Sequence, residues 1–341
     1  MAQARLVAAA RSATLPRMHL RALAAWALVA ATAAWVAVRA LGLEQGYPAV
    51  QLLAYTPVVA GGAVVAVAIT LLLGQRTAAA CVAVLAAVLV GLVAPRALGG
   101  ASGAEGGSGP RLRVLTANLY GEPRTAAGLV EIVRETRPDV LSVQELSPSV
   151  LRALDAAGLG KLLPELVASP GGGFGSGLYS RLPLERRAAV PGPGRGALSV
   201  ARARLPGAPV LELYAVHPRA PLRRSDMPQW RADLRGLPPA TPGGAVRILA
   251  GDFNATLDHA EFRAVVGGGY EDAAAETGAG LRATWPADRR FPPPVTIDHV
   301  LVDARCGVRS ARVIDVPRSD HRAVLAELAL PRRAATAVAQ R

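Results

Sequence analysis

The chain has 341 residues, of which 51% are hydrophobic, 18% charged and only 4% aromatic, with a mean hydropathy of +0.30. That combination excludes intrinsic disorder and points to apolar segments of membrane type. Two cysteines, Cys81 and Cys306, are too few for a disulfide scaffold or a structural zinc site, and basic residues outnumber acidic ones 38 to 25 with Lys161 the sole lysine.

The chain divides near residue 110. Before it, three apolar stretches predict membrane helices at about 22–42, 50–73 and 77–97, since crossing a bilayer takes about 20 apolar residues. Gln45 to Gln75 and Thr77 to Pro95 contain no charged residue, and Arg39 lies near the end of the first stretch, where its stem can snorkel. A cleaved signal peptide fits the basic start of the first stretch but not the two that follow. A buried soluble bundle would need a polar face that these runs lack. Arg5, Arg11, Arg17 and Arg21 precede the first stretch and Arg76 marks the turn between the second and third. The positive-inside rule then places the N-terminus in the cytoplasm and everything after residue 97 outside. Residues 1–98 are therefore expected to anchor a multi-pass cell-membrane protein with an extracytoplasmic domain. Residues 99–110 (GGASGAEGGSGP) predict a flexible linker, with an r.m.s. reach of roughly 20 Å.

Residues 111–330 read as an α/β domain followed by a basic tail, 331–341. Arg111–Leu119 alternates apolar and polar residues, as a half-buried strand does. Arg124–Thr136 carries Ala127, Val130, Ile132 and Val133 at near-helical spacing and is stopped by Pro138. A strand at Val140–Glu145 and a helix around Ser149–Ala157 follow. Strands are expected at Leu178–Leu182, Ala197–Arg204, Val210–His217 and Arg247–Ala250. Asp258 with Glu261 predicts a capping box opening a helix through Val266. Val295–Val302, Cys306–Ile314 and Ala323–Ala329 complete the strands. Strands that adjoin without intervening helices argue for two packed mixed sheets with flanking helices rather than a regular doubly wound sheet.

Polar residues cluster where these strands end: Asn118, Glu145, His217, Asp252 with Asn254, Asp298, and Asp320 with His321. Strand ends hold side chains rigidly yet open to a substrate. Each residue alone has a structural explanation, such as an Asx-turn at Asp252–Asn254; the set and its order carry the signal. The motifs are TANLY (Asn118), SVQEL (Glu145), YAVHPRAP (His217), GDFNAT (Asp252, Asn254), TIDHVLV (Asp298) and SDHRAVLAEL (Asp320, His321). In this order over residues 111–330 the chain resembles the endonuclease/exonuclease/phosphatase, or DNase I-like, superfamily. Thr284-Trp285-Pro286 ahead of Asp298 is similar to bacterial members.

The resemblance implies a four-layer α/β sandwich of two mixed sheets flanked by helices, and metal-dependent hydrolysis of phosphate esters. It implies that Glu145, with Asn118 and Asp320, holds Mg²⁺ or Mn²⁺, hard cations that prefer oxygen donors. Asp252 and Asn254 would orient and deprotonate the attacking water. Asp298 would hold His321 as an imidazolium beside the phosphate, and His217 would donate to a phosphate oxygen or protonate the leaving group. Trp285 is expected to shape the substrate cleft.

Two departures from the family pattern stand out. No glutamate near Gly171–Tyr179 backs His217, and Tyr120 occupies the position where DNA-repair members often carry an acid. GGGFGSG at 171–177 lacks the Gly-Lys-Ser/Thr of a P-loop and reads as a flexible loop. His299 should face the opposite side of its strand from Asp298 in a structural role, and His259 is expected at the surface. The expected partners are a phosphate-ester substrate (nucleic acid, lipid headgroup or small phosphoester) and the lipid bilayer, with no obligate protein partner. A non-catalytic module that binds phosphate ligands on the same fold is the alternative, and the complete set of site residues argues against it.

Overall fold

The computed structural model describes residues 2–100, 107–171, 175–188 and 198–333, with side chains from residue 19 onward. The chain forms two compact units. One comprises Met1–Gln45 and Tyr55–Ala94; the other comprises Gly46–Ala54 and Pro95–Arg341.

The first unit holds the helices α1 (Ala2–Leu41), α3 (Thr56–Leu72) and α4 (Arg76–Val93). Two helical segments, His19–Leu41 and Arg76–Val93, are long and apolar enough to cross a membrane; Thr56–Leu72 is apolar but has 17 residues. Small residues (Ala60, Ala63, Ala86) pack with Leu89 and Val93 inside this unit, and side chains that small let helix backbones approach closely. Between α1 and α3 the sequence predicts a continuation of apolar helix from residue 50. Instead a short helix, α2 (Ala49–Leu53), belongs to the other unit, where Val50 is buried among Trp230, Phe253 and Phe262.

The second unit contains two six-stranded sheets. The first has the order β11-β12-β1-β2-β4-β3, from β1 (Arg111–Asn118), β2 (Val140–Gln144), β3 (Glu165–Ser169), β4 (Ser176–Ser180), β11 (Gly307–Asp315) and β12 (Arg322–Ala329). The second has the order β5-β6-β7-β8-β10-β9, from β5 (Leu184–Arg186), β6 (Ser199–Ala203), β7 (Leu211–Val216), β8 (Val246–Asp252), β9 (Tyr270–Asp272) and β10 (Asp298–Asp303). Each sheet has one parallel pair, β1/β2 and β7/β8, among antiparallel neighbours. The sheets meet through Leu112, Val114, Val140, Leu213, Ile248, Val300 and Val324. Helices α6 (Ala126–Thr136) and α7 (Pro148–Ala156) cover the outer face of the first sheet; α9 (Met227–Arg235) and α10 (Ala260–Gly267) cover that of the second. Short helices α5 (Pro95–Leu98), α8 (Leu159–Leu162) and α11 (Ala273–Glu276) complete the set. Two mixed sheets with flanking helices are the architecture the sequence implies.

Several local expectations are revised. Strands β3, β5 and β9 and helix α9 were not legible. In α9, Pro228 reads as a helix breaker but sits in the first turn, where its missing N–H costs nothing. No capping box forms at Asp258: the N-cap is His259 without a side-chain bond. Asp258 instead accepts both terminal nitrogens of Arg96 at 2.7 and 2.6 Å, and Glu261 pairs with Arg235. His259 is buried rather than at the surface. Its Nδ1 accepts the Thr256 N–H at 2.8 Å, so Nε2 carries the proton and donates to the Val50 carbonyl at 2.7 Å. The linker, expected as free coil, is tied at both ends: Gly100 N donates to Glu276 O and Gly109 N to Leu330 O. Residues 101–106 of the linker, 172–174 of the glycine loop, Ala197 of the sixth strand and 334–341 of the tail lie outside the described residues.

The Arg96–Asp258 pair is nearly solvent-free, with side-chain exposures of 9% and 1%. Removing one member of a buried ion pair strands the other, which typically costs about 3–5 kcal/mol. Arg96→Met is therefore expected to lower the unfolding free energy of the full detergent-solubilised chain by about that amount, measured by urea denaturation. Adding Asp258→Leu should restore most of the loss. Equal stability of Arg96→Met and wild type would show that the pair contributes nothing.

Candidate functional site

The two-residue period of the strands delivers the site. In β1, Leu112 and Val114 face the opposite sheet, and the same parity carries Asn118 there. In β8, Val246, Ile248 and Ala250 set the parity that ends on Asp252; in β10, Val300 and Val302 do the same for Asp298. The C-terminal ends of both parallel pairs and the start of β10 thus meet at one rim between the sheets. Asp252 and Asp298 are directly opposite in the β8/β10 register.

The sheets are joined at this rim by polar bonds. Asn118 Nδ2 donates to Asp252 Oδ2 at 3.0 Å and to Glu145 Oε1 at 3.2 Å. Its amide oxygen accepts the Tyr120 N–H at 2.9 Å, which fixes the plane of the amide, so that Asn118 holds two carboxylates in place and keeps one lone pair of its oxygen. Glu145 follows the inward-facing Gln144 and has the wrong parity, but a positive φ of 54° turns its side chain back toward the site. Asn254 also has a positive φ, 48°, and its Nδ2 donates to the Pro218 carbonyl at 3.1 Å. Its N–H donates to Asp252 Oδ1 at 2.8 Å.

His321 Nδ1 donates to Asp298 Oδ2 at 2.9 Å, while Nε2 lies 3.8 Å from Asp252 Oδ2 and 3.9 Å from Asp320 Oδ1. Burial alone favours a neutral ring, but Asp298, helped by Asp252 and Asp320, outweighs it and raises His321 to about 10. His217 reaches the same carboxylate oxygen, with Nε2 3.7 Å from Asp252 Oδ2. There burial prevails, reinforced by the charge on His321, and His217 falls to about 4. Burial pushes Asp252 up to about 7 against the pull of His321, and it raises Glu145 as well. Trp285 Nε1 donates to Asp320 Oδ2 at 2.9 Å, and Arg289 stacks 5.5 Å over its half-exposed ring. Every expected site residue therefore reaches one rim.

Two supporting residues were not assigned roles from sequence. Ser319 donates to the Asn118 carbonyl at 2.8 Å and accepts the His321 N–H at 3.0 Å. Thr284 Oγ1 accepts from the N–H groups of Ile297 and Asp298 at 3.0 and 3.1 Å. Both sit inside motifs already singled out, SDH and TWP, which was the available signal.

The oxygen chemistry suits a divalent cation. Oδ1 of Asp298 and Oδ1 of Asp320 are buried with no hydrogen-bond partner among the described residues, a costly arrangement for carboxylates unless a cation faces them. Asp252, Asp298 and His321 also bring ligand atoms within 4.8 Å of one another, and within that set a hydrogen bond joins His321 to Asp298.

The model of the Endonuclease/Exonuclease/phosphatase family matches residues 115–321. The chain belongs to this family. Membership supports a metal-dependent phosphoesterase at the level of the family. Solved structures show the fold. A truncated Caenorhabditis elegans TDP2 is 18% identical with a TM-score of 0.52, covering 64% of this chain and 97% of its own. An endonuclease/exonuclease/phosphatase from Beutenbergia cavernae DSM 12333 is 22% identical at TM-score 0.52, covering 65% and 72%. D. rerio TDP2 complexed with single strand DNA product is 20% identical at TM-score 0.50, covering 64% and 98%. No curated protein matches the sequence.

Behind the rim, His299 faces the outer core, as its parity predicts. Nδ1 meets Asp272 Oδ2 at 2.6 Å and Nε2 meets the Ala255 carbonyl at 3.0 Å. Both partners are acceptors, so both ring nitrogens carry protons; burial opposes the cation, yet Asp272 prevails and the pKa is raised. A raised folded pKa gives stabilisation that is whole below the unfolded value of about 6.5 and lost as pH climbs through the folded one. Asp272→Asn keeps the N-cap bond to Ala275 and removes the charge. Its stability deficit relative to wild type should shrink as pH rises above about 6.5 in chemical denaturation. A deficit that grows with pH would contradict a cationic His299.

Proposed function

We propose that this chain is a membrane-anchored hydrolase of phosphate esters that depends on a divalent metal, with its catalytic unit outside the cytoplasm. The observation that carries the reading is the convergence of carboxylate, amide and imidazole groups from both sheets on one rim, at Asn118, Glu145, Asp252 and His321. Family membership gives the reaction class.

Glu145 and Asp320 are the proposed ligands of Mg²⁺ or Mn²⁺, with Asn118 fixing the position of Glu145. When bound, the ion supplies Lewis-acid polarisation of a phosphoryl oxygen. Asp252, poised near neutrality, takes a proton from the attacking water, and Asn254 orients that water. The water oxygen bonds to phosphorus, the ester P–O bond breaks, and the leaving oxygen ends protonated. His321, held as a cation by Asp298, places fixed positive charge beside the phosphoryl oxygens. His217 is neutral at pH 7, so it has a hydrogen bond to offer a phosphate oxygen but no surplus proton for the leaving group. Of its two expected roles we retain the first. Trp285 holds Asp320 and lines the cleft beside it.

Membrane anchoring rests on the two helices long and apolar enough to cross, and a parity argument sets how many spans cross together. Gly46–Ala54 and Pro95 onward belong to one compact unit, so the chain crosses a bilayer an even number of times between them. A pair of spans at α1 and α4 alone would violate this; α3 and α4 crossing together satisfy it. Helix α3 is about 25 Å long, slightly short of the roughly 30 Å hydrocarbon core, a mismatch that local thinning absorbs. Three crossings with Arg76 at the cytoplasmic turn then put the catalytic unit outside.

The full chain in lipid nanodiscs is expected to hydrolyse bis-p-nitrophenyl phosphate with Mg²⁺, to lose the activity in EDTA and to regain it on adding Mg²⁺ or Mn²⁺. His321→Ala should abolish turnover. Trp285→Phe should raise the Mg²⁺ concentration for half-activation about 10- to 100-fold, as loss of a group that orients a ligand does. Full activity in EDTA would overturn the metal role, and phosphate binding without turnover under any condition would favour a non-catalytic module.

A further inference from the structure

The loops around the rim share a chemistry that phosphoester hydrolysis alone does not require. Leu222-Arg223-Arg224, Leu281-Arg282 and Arg289-Arg290-Phe291 each set an exposed apolar side chain beside arginine. Leu222 is 69% exposed and Phe291 83%. Apolar tips flanked by arginine suit the boundary between acyl chains and anionic headgroups.

Their placement ties them to the site. The loop carrying Leu222 starts at His217 and Pro218, whose carbonyl accepts from Asn254 at 3.1 Å. The loop carrying Phe291 leaves from Trp285, the partner of Asp320, and is closed at its base where Val295 N donates to Trp285 O at 2.6 Å. The middle loop joins it through Thr296 Oγ1, which donates to Arg282 O at 3.1 Å.

The same loops touch the segments that connect to the apolar helices. Gln51 Nε2 donates to the Pro221 carbonyl, and Gly280 N donates to Arg96 O at 3.0 Å. The loops of the rim are thus bonded to segments that lead directly, in sequence, into the helices proposed to cross the bilayer. In the connecting segments themselves Leu52 and Leu98 are exposed, at 49% and 81%.

We infer that these loops form a rim seated on an anionic lipid surface and that the site acts on the headgroup phosphoester of a membrane lipid. The substrate half of the inference rests on the phosphoesterase reading; the surface half does not. Hydrolysis there adds water across a P–O ester bond, with oxygen to phosphorus and a proton to the leaving oxygen. A bilayer is favoured over a nucleic acid strand because two of the three apolar tips, Leu222 and Leu281, have no aromatic face on which bases stack, while Phe291 suits either, and because the same loops bond the segments that lead in sequence into the apolar helices.

The test uses the full chain, with Cys81→Ala, in nanodiscs containing phosphatidylglycerol. Cys306 is buried, its thiol pushed up to about 12, and stays unlabelled. An environment-sensitive fluorophore is attached at Leu222→Cys, at Phe291→Cys, and at Arg134→Cys on α6 as a reference. Blue-shifted emission quenched by spin-labelled lipid at positions 222 and 291, but not at 134, supports the rim. Water-like, unquenched emission at both overturns it. Turnover is then compared on vesicle phospholipid, single-stranded DNA and bis-p-nitrophenyl phosphate. Phospholipid cleavage that Phe291→Asp lowers about tenfold relative to the soluble ester supports the lipid substrate; cleavage of DNA with none of lipid overturns it. If wild type cleaves nothing, the phosphoesterase reading fails and the lipid-substrate inference with it, while the fluorescence still decides the surface.

Discussion

The 3.0 Å hydrogen bond from Asn118 to Asp252 crosses between the two sheets at the point where their apolar packing ends. It is the constraint on which the rim depends. A buried carboxylate needs donors, and Asp252 obtains two, Asn118 from the first sheet and the Asn254 N–H from its own. Asn118 also holds Glu145, so one amide sets the separation of the two carboxylates. Ser319 then fixes the Asn118 backbone and the His321 N–H together. Moving either sheet against the other would break the Asn118–Asp252 bond and pull Asp252 away from the groups that Asn118, Glu145 and Ser319 hold on the first sheet.

Within that frame, burial sorts groups that are chemically alike. His217 and His321 lie 3.7 and 3.8 Å from the same Asp252 oxygen, yet one is driven neutral and the other is held charged. The difference is Asp298, which hydrogen-bonds His321 and leaves His217 to desolvation. One site thereby offers a neutral donor and a fixed cation beside a carboxylate poised near pH 7. Separation of protonation states by environment is how a single cleft supplies acid, base and electrostatic functions together.

The sequence made the rim legible because strand parity is a local property. Leu112, Val114 and Asn118 share a face by count alone, as do Ile248, Ala250 and Asp252. Glu145 has the wrong parity and reaches the site through a left-handed backbone turn that no periodicity reveals. Helix α9 was hidden by Pro228, and Asp258 by Arg96, its partner 162 residues away. The capping box at Asp258 was locally reasonable; a buried guanidinium outcompeted it because a desolvated carboxylate gains more from a charge than from backbone N–H groups. His259 and Val50 were illegible for the same reason, since each is explained only by the other.

These long-range contacts alter what the apolar N-terminal region does. Val50 O accepts from His259, His259 packs edge-on against Trp230 at 5.5 Å, and Trp230 Nε1 donates to the Asn254 carbonyl at 3.1 Å. A continuous set of contacts therefore runs from the segment between the first two apolar helices to a residue of the rim. A flexible tether would leave the site free to tumble, and neither the buried Arg96–Asp258 pair nor the fully buried Val50 would then be needed. Their burial means that folding the catalytic unit requires chain on both sides of the α3–α4 hairpin. The α3–α4 hairpin is thus inserted within the sequence of the unit that holds the rim, which takes residues from both sides of it.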